Sequence, residues 1–463
     1  MTTANDISVA LDATEDTDAQ GTTDLAGGGS GYAAAELPDD LDKTVDSDAS
    51  GYFTEAKEAK RFGFRALLAW HYLILFSPLL AKGSFSSLVG LLVDRQMLLY
   101  SVLAFSFLVL FLVTRFAVKS KQALMRAPVI IFLTILAAVA TFVSGWTAFS
   151  WPLLYLCATV VLGICEAVLM FAWLMFFATL ARKQVYRTLG LDVILGGAIA
   201  LLVESLMSPA DVVVAACLPL ISMVSFVTLK KKYDFWQMRE AKKPHLEKAK
   251  ESIHAPDSSS KGVSKDLSTY MLRRNVSAVI FALAFGIIQG GFLSNGTPFL
   301  IANNSAPLLG IVLAGGIIFN TKERFCTHSD AELMYRTALL FLMVGILIPT
   351  FLGALHGDYT DSVAVWAMMG SGILALAGFN LFDFGNMMLC LGVVKTYGGG
   401  NEHLIVMGRF VVYVAMAFGF AFGGVLVTYV MPLTAVEVLI ICCCIAMFLL
   451  LITISFPTST KQG

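Results

Sequence analysis

The chain has 463 residues, of which 57% are hydrophobic and 14% charged, and its formal net charge is −1. Soluble domains average roughly 45–50% apolar and about 25% charged residues, so this composition excludes an ordinary soluble protein. The sequence contains no nucleotide-binding loop, nucleophile elbow or zinc-protease signature. We therefore expect neither an ATP-driven pump nor an enzyme.

The chain begins with an acidic segment, residues 1–60. Its first 56 residues contain 13 acidic residues and one base, Lys43, and are rich in Gly, Ser, Thr and Ala. Such a segment cannot bury enough apolar surface to fold alone, so we expect a disordered cytoplasmic tail. It has neither the positive start nor the apolar run of a signal peptide. It is either an inert solvated extension or an electrostatic latch onto the basic loops of the protein.

Twelve apolar segments follow, each long enough to cross a bilayer, which takes ~20 residues of helix. Six lie within residues 61–229 and six within residues 276–456. Between them, residues 230–275 form a basic linker that we expect to lie against the anionic cytoplasmic leaflet. A short tail, 457–463, ends the chain. The predicted spans are 64–82, 96–114, 127–145, 153–181, 188–207, 211–229, 276–294, 300–320, 333–353, 363–394, 404–429 and 434–456.

Positive charge is sorted between alternate connections of these spans. Two of the 32 cationic residues, Lys82 and Arg95, lie at odd-numbered connections. The other 30 lie in the even-numbered connections, at the chain ends, or inside spans near those ends, as Arg65, Arg336 and Arg409 do. Because Lys and Arg near membrane helices stay on the cytoplasmic side, both termini are predicted to be cytoplasmic. The pattern predicts a multi-pass protein of the inner membrane, with the lipid bilayer as its first partner.

Six spans, a long cytoplasmic linker and six more spans resemble the layout of the major facilitator superfamily. The predicted fold class is therefore an all-α membrane protein with twelve helices in two six-helix halves. A weak internal repeat supports it. Shifting the sequence by 217 residues aligns Glu166 with Asp383, and Asp192 with Arg409.

Ionisable side chains inside a bilayer are costly, at least ~2.5–3.5 kcal/mol each on insertion scales, so each needs a partner or water. His71, Glu166, Gln289 and Asp383 place one strongly polar residue on each of spans 1, 4, 7 and 10. These four helices line the central cavity in the facilitator arrangement that this layout resembles. We expect the four residues to bind a ligand or a proton there, or else to form interhelical hydrogen bonds that fix packing.

Two further charges lie about one and a half turns inside their helices, Asp192 in span 5 and Arg409 in span 11. Both are candidates for ligand or proton binding. Asp192 is too short to reach the membrane surface, so we expect it to pair with a nearby cation such as Arg187 or Arg182. Arg409 either belongs to the site or extends to the inner surface as long basic side chains do.

The eight cysteines and six histidines predict no metal site and no cofactor. Seven of the cysteines lie within apolar spans and Cys326 lies in a cytoplasmic loop, so none is placed for a disulfide framework. No Cys-x-x-Cys pair occurs, and the histidines are scattered. We expect the cysteines to be packing residues.

The stretch LFDFGNMMLCLGVVKTYGGGNEHLIVMGRFVVYVAMAFGFAFGG resembles a region of bacterial membrane-bound LuxR-type regulators, in which a facilitator-like module precedes a helix-turn-helix domain. The matching residues are Asp383 in span 10 and Gly408–Arg409 at the start of span 11, and the start of span 1 (FGFRALLAWHYLILFSP) and the stretch AFGIIQGG in span 7 are similar. The chain ends at Gly463, seven residues after Phe456, and leaves no room for that DNA-binding domain. The resemblance implies a membrane module without direct nucleic-acid contact, which would signal through a cytoplasmic partner protein.

Two functions follow from these observations. The first is a non-enzymatic sensor module that recognises a small molecule or a proton. The alternative is a secondary, proton-coupled transporter that uses Glu166 or Asp383. The connection TRFAVKSKQALMRAP after span 2 lacks the Gly-x-x-x-Asp signature of ordinary facilitator transporters, which tilts the sequence interpretation toward sensing.

Overall fold

The computed structural model describes residues 63–77, 95–117, 124–147, 151–178, 182–232, 275–290, 306–320, 328–356, 362–397 and 402–430. Within these ranges the chain is all-helical and forms eleven helices. They are α1 Gly63–Phe76, α2 Arg95–Phe116, α3 Ala127–Thr147, α4 Pro152–Phe177, α5 Arg182–Glu204, α6 Ala210–Lys232, α7 Asn275–Ile288, α8 Ala306–Asn320, α9 His328–His356, α10 Ser362–Tyr397 and α11 His403–Val430.

Each of these helices overlaps the predicted span of the same number. The twelfth predicted span, 434–456, lies outside the described residues, as do the acidic tail 1–60 and residues 233–274 of the linker. The all-helical class is confirmed, whereas the count of twelve stays a prediction.

The helices are long and apolar enough for a multi-pass membrane protein. Six of them in the described ranges contain a window that could cross a membrane, namely those in α2, α3, α4, α6, α10 and α11, and four shorter apolar helices accompany them. In α4, 83% of the most apolar window is buried inside the protein, and in α10 78%, compared with 39% in α3 and α6. Thus α4 and α10 are enclosed by other helices, while α3 and α6 present large apolar faces outward, as lipid-facing helices do.

Exposed tryptophans lie near helix ends that the charge pattern assigns to the outer side. Trp146 ends α3, Trp151 precedes α4, and Trp366 lies in the second turn of α10, and all three are at least 64% exposed. Tryptophan is enriched where membrane helices meet the headgroup region. These residues therefore indicate where the apolar layer ends.

The two groups of helices, α1–α6 and α7–α11, pack against each other along two seams. In one seam α2 meets α11, where the rings of Phe107 and Tyr413 stack at 5.5 Å. In the other, α5 meets α8, where a β-carbon on Gly190 would come within 3.2 Å of the backbone nitrogen of Phe319. Below, α1–α6 are called the first half and α7–α11 the second half.

Helices α7 and α11 approach at backbone distance because glycines face each other. A β-carbon added to Gly286 would lie 2.6 Å from the carbonyl oxygen of Met416 and 3.1 Å from the α-carbon of Gly419. Small residues let membrane helices gain van der Waals contact at such crossings. This crossing fixes α11, which carries Arg409, against the rest of the second half.

Candidate functional site

A buried histidine–carboxylate pair joins α1 to α4. The Nδ1 atom of His71 lies 2.5 Å from Oε1 of Glu166, and both side chains are at most 6% exposed. The second carboxylate oxygen of Glu166, Oε2, is buried and has no hydrogen-bond partner among the described residues. A buried carboxylate oxygen without a partner is costly unless a proton or a ligand satisfies it.

A second buried pair joins α10 to α11. Nη1 of Arg409 donates to both carboxylate oxygens of Asp383, at 2.5 and 2.6 Å, and its Nη2 lies 3.5 Å from the sulfur of Met387. The Arg409 side chain is 7% exposed. The structure therefore supports the interpretation that Arg409 belongs to the interior, since its side chain forms a buried ion pair and does not extend to the membrane surface.

A third pair joins α1 to α5. Nε of Arg65 donates to Oδ1 of Asp192 at 2.6 Å, and the Asp192 side chain is completely buried. Asp192 is paired with a cation, as expected, but that cation is Arg65 and not one of the two arginines suggested by the sequence, Arg187 and Arg182, whose side chains lie outside the described residues. Those arginines precede Asp192 on its own helix, whereas α1 runs alongside α5 and brings in a cation from 127 residues away.

The Arg65–Asp192 pair belongs to a regular packing of α1 on α5. One turn further along, a β-carbon on Gly196 would lie 2.9 Å from Cβ of Leu68, and near the far ends the Ser77 hydroxyl donates to Glu204. The two polar bridges have the same sequence separation of 127 residues and lie 12 residues apart, or ~18 Å along each helix. The two helices thus form one stiff unit with the glycine contact between the bridges.

Gln289 does not join the charged pairs. It lies immediately beyond α7, is buried, and its side-chain oxygen accepts a 2.5 Å hydrogen bond from the hydroxyl of Tyr100 on α2. Gln96, one turn from Tyr100, donates 3.4 Å to the same hydroxyl. This hydrogen bond connects the first half to the second, as the packing interpretation of polar membrane residues expects.

Two buried tyrosines interact with the charged pairs. Tyr72, next to His71, interacts electrostatically with Asp383 and Arg409 of the second half. Tyr413, one turn after Arg409 on α11, interacts with that same pair and with Glu166 of the first half. The His71–Glu166 and Asp383–Arg409 pairs therefore lie in one electrostatic environment although each belongs to a different half.

Aromatic rings from both halves meet one to two helical turns from the charged residues, toward the side that the charge pattern assigns to the outside. The Phe76 ring of α1 lies 6.2 Å from the Phe285 ring of α7 and 6.0 Å from the Phe379 ring of α10. The last two stack on each other at 4.1 Å. Phe76 follows His71 by five residues, and Phe379 precedes Asp383 by four on a helix of the opposite direction. We call these three rings the aromatic layer.

The structure thus gives every candidate residue a defined neighbour. Sequence reasoning missed Arg65, because it stands at the start of span 1 where basic residues usually mark the membrane surface. It also missed Tyr100, since a tyrosine within an apolar span carries no charge signal. Within the described ranges, no group of three or more His, Cys, Asp or Glu side chains is placed to hold a metal ion.

Comparison with solved structures places this arrangement in a known architecture. The chain is similar to the crystal structure of the human organic anion transporter MFSD10 (TETRAN), with a TM-score of 0.52 and 14% sequence identity, over 86% of this chain and 98% of that chain. The chain has a major-facilitator-like fold. Together with the apolar helices, this fold indicates a multi-pass membrane protein.

The comparisons support the fold but not the predicted kinship. No protein-family model and no curated protein matches the chain. The resemblance to membrane-bound LuxR-type regulators and the sensing role implied by it receive no support. At 14% identity, the likeness to the anion transporter concerns the fold alone.

Proposed function

We propose that this protein is a secondary transporter that moves a small molecule across the cytoplasmic membrane in exchange for, or together with, a proton. The observation that carries the proposal is the buried His71–Glu166 pair, in which one carboxylate oxygen contacts the imidazole and the other has no partner among the described residues. The proposal includes the inner-membrane location, the cytoplasmic termini, the twelve-span layout and the absence of enzymatic chemistry.

The His71–Glu166 pair has the properties that a proton carrier needs. Imidazole and carboxylate are the two side-chain groups that exchange protons most readily in the physiological range. A net charge on a pair buried inside a membrane is unfavourable. Release of a proton from the pair leaves the Glu166 carboxylate as a buried anion. Proton release is therefore coupled to the binding of any other group that can neutralise this anion.

The distribution of the ion pairs supports alternating access. Arg65–Asp192 and His71–Glu166 lie within the first half, and Asp383–Arg409 lies within the second. Breaking a buried ion pair costs several kcal/mol, roughly 3–5. Because both members of each pair belong to the same half, the two halves can rotate relative to each other without breaking any of the three ion pairs. The contacts described between them are apolar packing, aromatic contacts and the Tyr100–Gln289 hydrogen bond.

The sensing alternative predicts binding without flux, and this difference gives the test. Purified protein in liposomes is supplied with a panel of small organic anions, cations and neutral solutes, with and without an imposed pH gradient. We expect the gradient to drive accumulation of at least one solute, and Glu166→Gln to abolish the effect of the gradient. The matched control is Glu204→Gln, which changes a half-buried carboxylate at the outer end of α5.

Accumulation that does not respond to the gradient, or that responds equally in Glu166→Gln, would show that the proton role is misassigned. If a solute changes the tryptophan fluorescence of the protein but no solute is taken up, the sensing hypothesis would be favoured over transport.

A further inference from the structure

The buried charges around the two halves do not balance without a proton. Apart from Glu204, Asp211 and Glu402, which lie at helix ends, the buried charges of the described residues are two arginines, Arg65 and Arg409, and three carboxylates. Two of those three carboxylates are paired with the arginines. The third, Glu166, has only the imidazole of His71 as its partner. Neutrality of the interior therefore requires one proton on this pair.

No other cation among the described residues can replace that proton. Tyr72 of α1 lies beside the His71 ring, with the ring centroids 5.5 Å apart, and Tyr413 of α11 interacts with Glu166. Tyr100 of α2 is a neighbour of Tyr413. Helix α3, which packs on α4, has no titratable side chain. Arg409 is committed to both oxygens of Asp383. When the proton leaves, the described surroundings offer phenol groups and the guanidinium of Arg409, whose charge is already paired with Asp383.

An uncompensated anion in a membrane interior is unfavourable by several kcal/mol, so the deprotonated state is stabilised most by a ligand with one positive charge. A neutral ligand leaves the charge uncompensated. An anionic ligand adds a second negative charge to that of Glu166. The Oε2 atom of Glu166, which is buried and has no hydrogen-bond partner among the described residues, is the acceptor that a singly charged cation would contact.

The aromatic layer can pack against the apolar part of the same ligand. Faces of Phe and Tyr rings attract cations through their quadrupole and bury apolar groups. The rings of Phe76, Phe285 and Phe379 come from both halves and lie one to two turns outward from His71 and Asp383. They contact one another, so a ligand that enters from the outer side must part them, and parting them separates the halves.

From this juxtaposition we propose that the transported ligand is a lipophilic organic cation with a single positive charge, which contacts Glu166 and takes the place of the proton on the His71–Glu166 pair. The inference rests on the proposed transport function and specifies its substrate class. In the exchange one proton leaves the pair as one cation binds, so the charge of the interior does not change.

The test uses two probes of the same shape and opposite charge, tetraphenylphosphonium and tetraphenylborate. Binding of each to the purified full-length protein is measured by titration calorimetry in detergent. Repeating the measurement in two buffers of different ionisation enthalpy counts the protons released. The proton count needs only the unaltered protein, so it holds even where a variant fails to fold.

We expect tetraphenylphosphonium to bind with release of about one proton, and its affinity to fall by about tenfold per pH unit as the pair becomes protonated. Glu166→Gln should weaken binding by about 30-fold or more, as loss of a buried charge partner does. Glu204→Gln should bind as the unaltered protein does, and tetraphenylborate should not bind in a manner that depends on Glu166.

Three results would overturn the inference: no binding of the cation, binding without proton release, or equal affinity in Glu166→Gln. The outcome is separable from that of the transport proposal. If an anion or a neutral solute drives proton-coupled uptake in liposomes, transport stands and the cation inference falls. If the cation binds with proton release and no solute crosses the membrane, the cation inference stands and transport falls.

Discussion

The Asp383–Arg409 pair provides a quantitative prediction from its geometry. Two charge-assisted hydrogen bonds of 2.5 and 2.6 Å hold a guanidinium group that is 7% exposed against a carboxylate that is 16% exposed. Removing one member of such a pair leaves the other as a buried, unpaired charge, which costs about 3–5 kcal/mol. Asp383→Asn and Arg409→Met should each lower the free energy of unfolding by that amount.

The double variant should lose much less than the sum of the two single losses, because it leaves no unpaired charge. The assay is a double-mutant cycle on protein in mixed micelles, unfolded with SDS and followed by tryptophan fluorescence, which gives the coupling energy between the two side chains. Ordinary hydrogen bonds between membrane helices average about 0.6 kcal/mol in such cycles. A coupling energy at or below that value would refute the ion pair described here.

Three further predictions follow from packing and charge. Gly286→Ala should lower the yield of monodisperse protein in size-exclusion chromatography, because its β-carbon would lie 2.6 Å from the Met416 carbonyl oxygen; Gly316→Ala, with no atom within 4 Å of the added carbon, should leave the yield unchanged. Tyr100→Phe should cost about 0.6 kcal/mol in SDS unfolding by removing the hydrogen bond to Gln289, and no change would mean that water replaces it. Alkaline phosphatase fused to either end of the chain should stay inactive in cells, since both termini are predicted to be cytoplasmic, and activity at one end would contradict the charge-based topology.

The helices were predictable because their cause is local. An apolar run of ~20 residues with charges at its ends has one favourable state in a bilayer, so hydropathy and loop charge alone place α2, α4, α10 and α11 within a few residues. The length of α10, Ser362–Tyr397, was visible in the same way as an unusually long apolar run. The facilitator-like class followed from the order of the runs.

The candidate residues were also recognisable one by one, since charge is rare inside membranes. The partners of these residues could not be predicted, because a pairing depends on which helices are neighbours and on how each helix is rotated about its axis. The Arg65–Asp192 bond joins residues 127 positions apart, whereas the local choice, Arg187, lies on the same helix as Asp192. His71 and Glu166 were both selected because of their positions in their spans, and only the packing of α1 on α4 shows that they contact each other.

The aromatic layer was hidden for a different reason. Phenylalanine makes up 34 of the 463 residues, so its presence in an apolar span carries no information about contacts. Only the crossing of α1, α7 and α10 distinguishes Phe76, Phe285 and Phe379 from lipid-facing rings such as Phe105 or Phe132.

The central claim is that solute movement is tied to a proton on the His71–Glu166 pair, and the most direct measurement is internal pH. Liposomes that contain the protein and a trapped pH-sensitive dye are given each solute that the protein accumulates. The account predicts a change of internal pH that accompanies solute movement and is absent in Glu166→Gln. Solute movement with constant internal pH, or an equal pH change in Glu166→Gln, would contradict it.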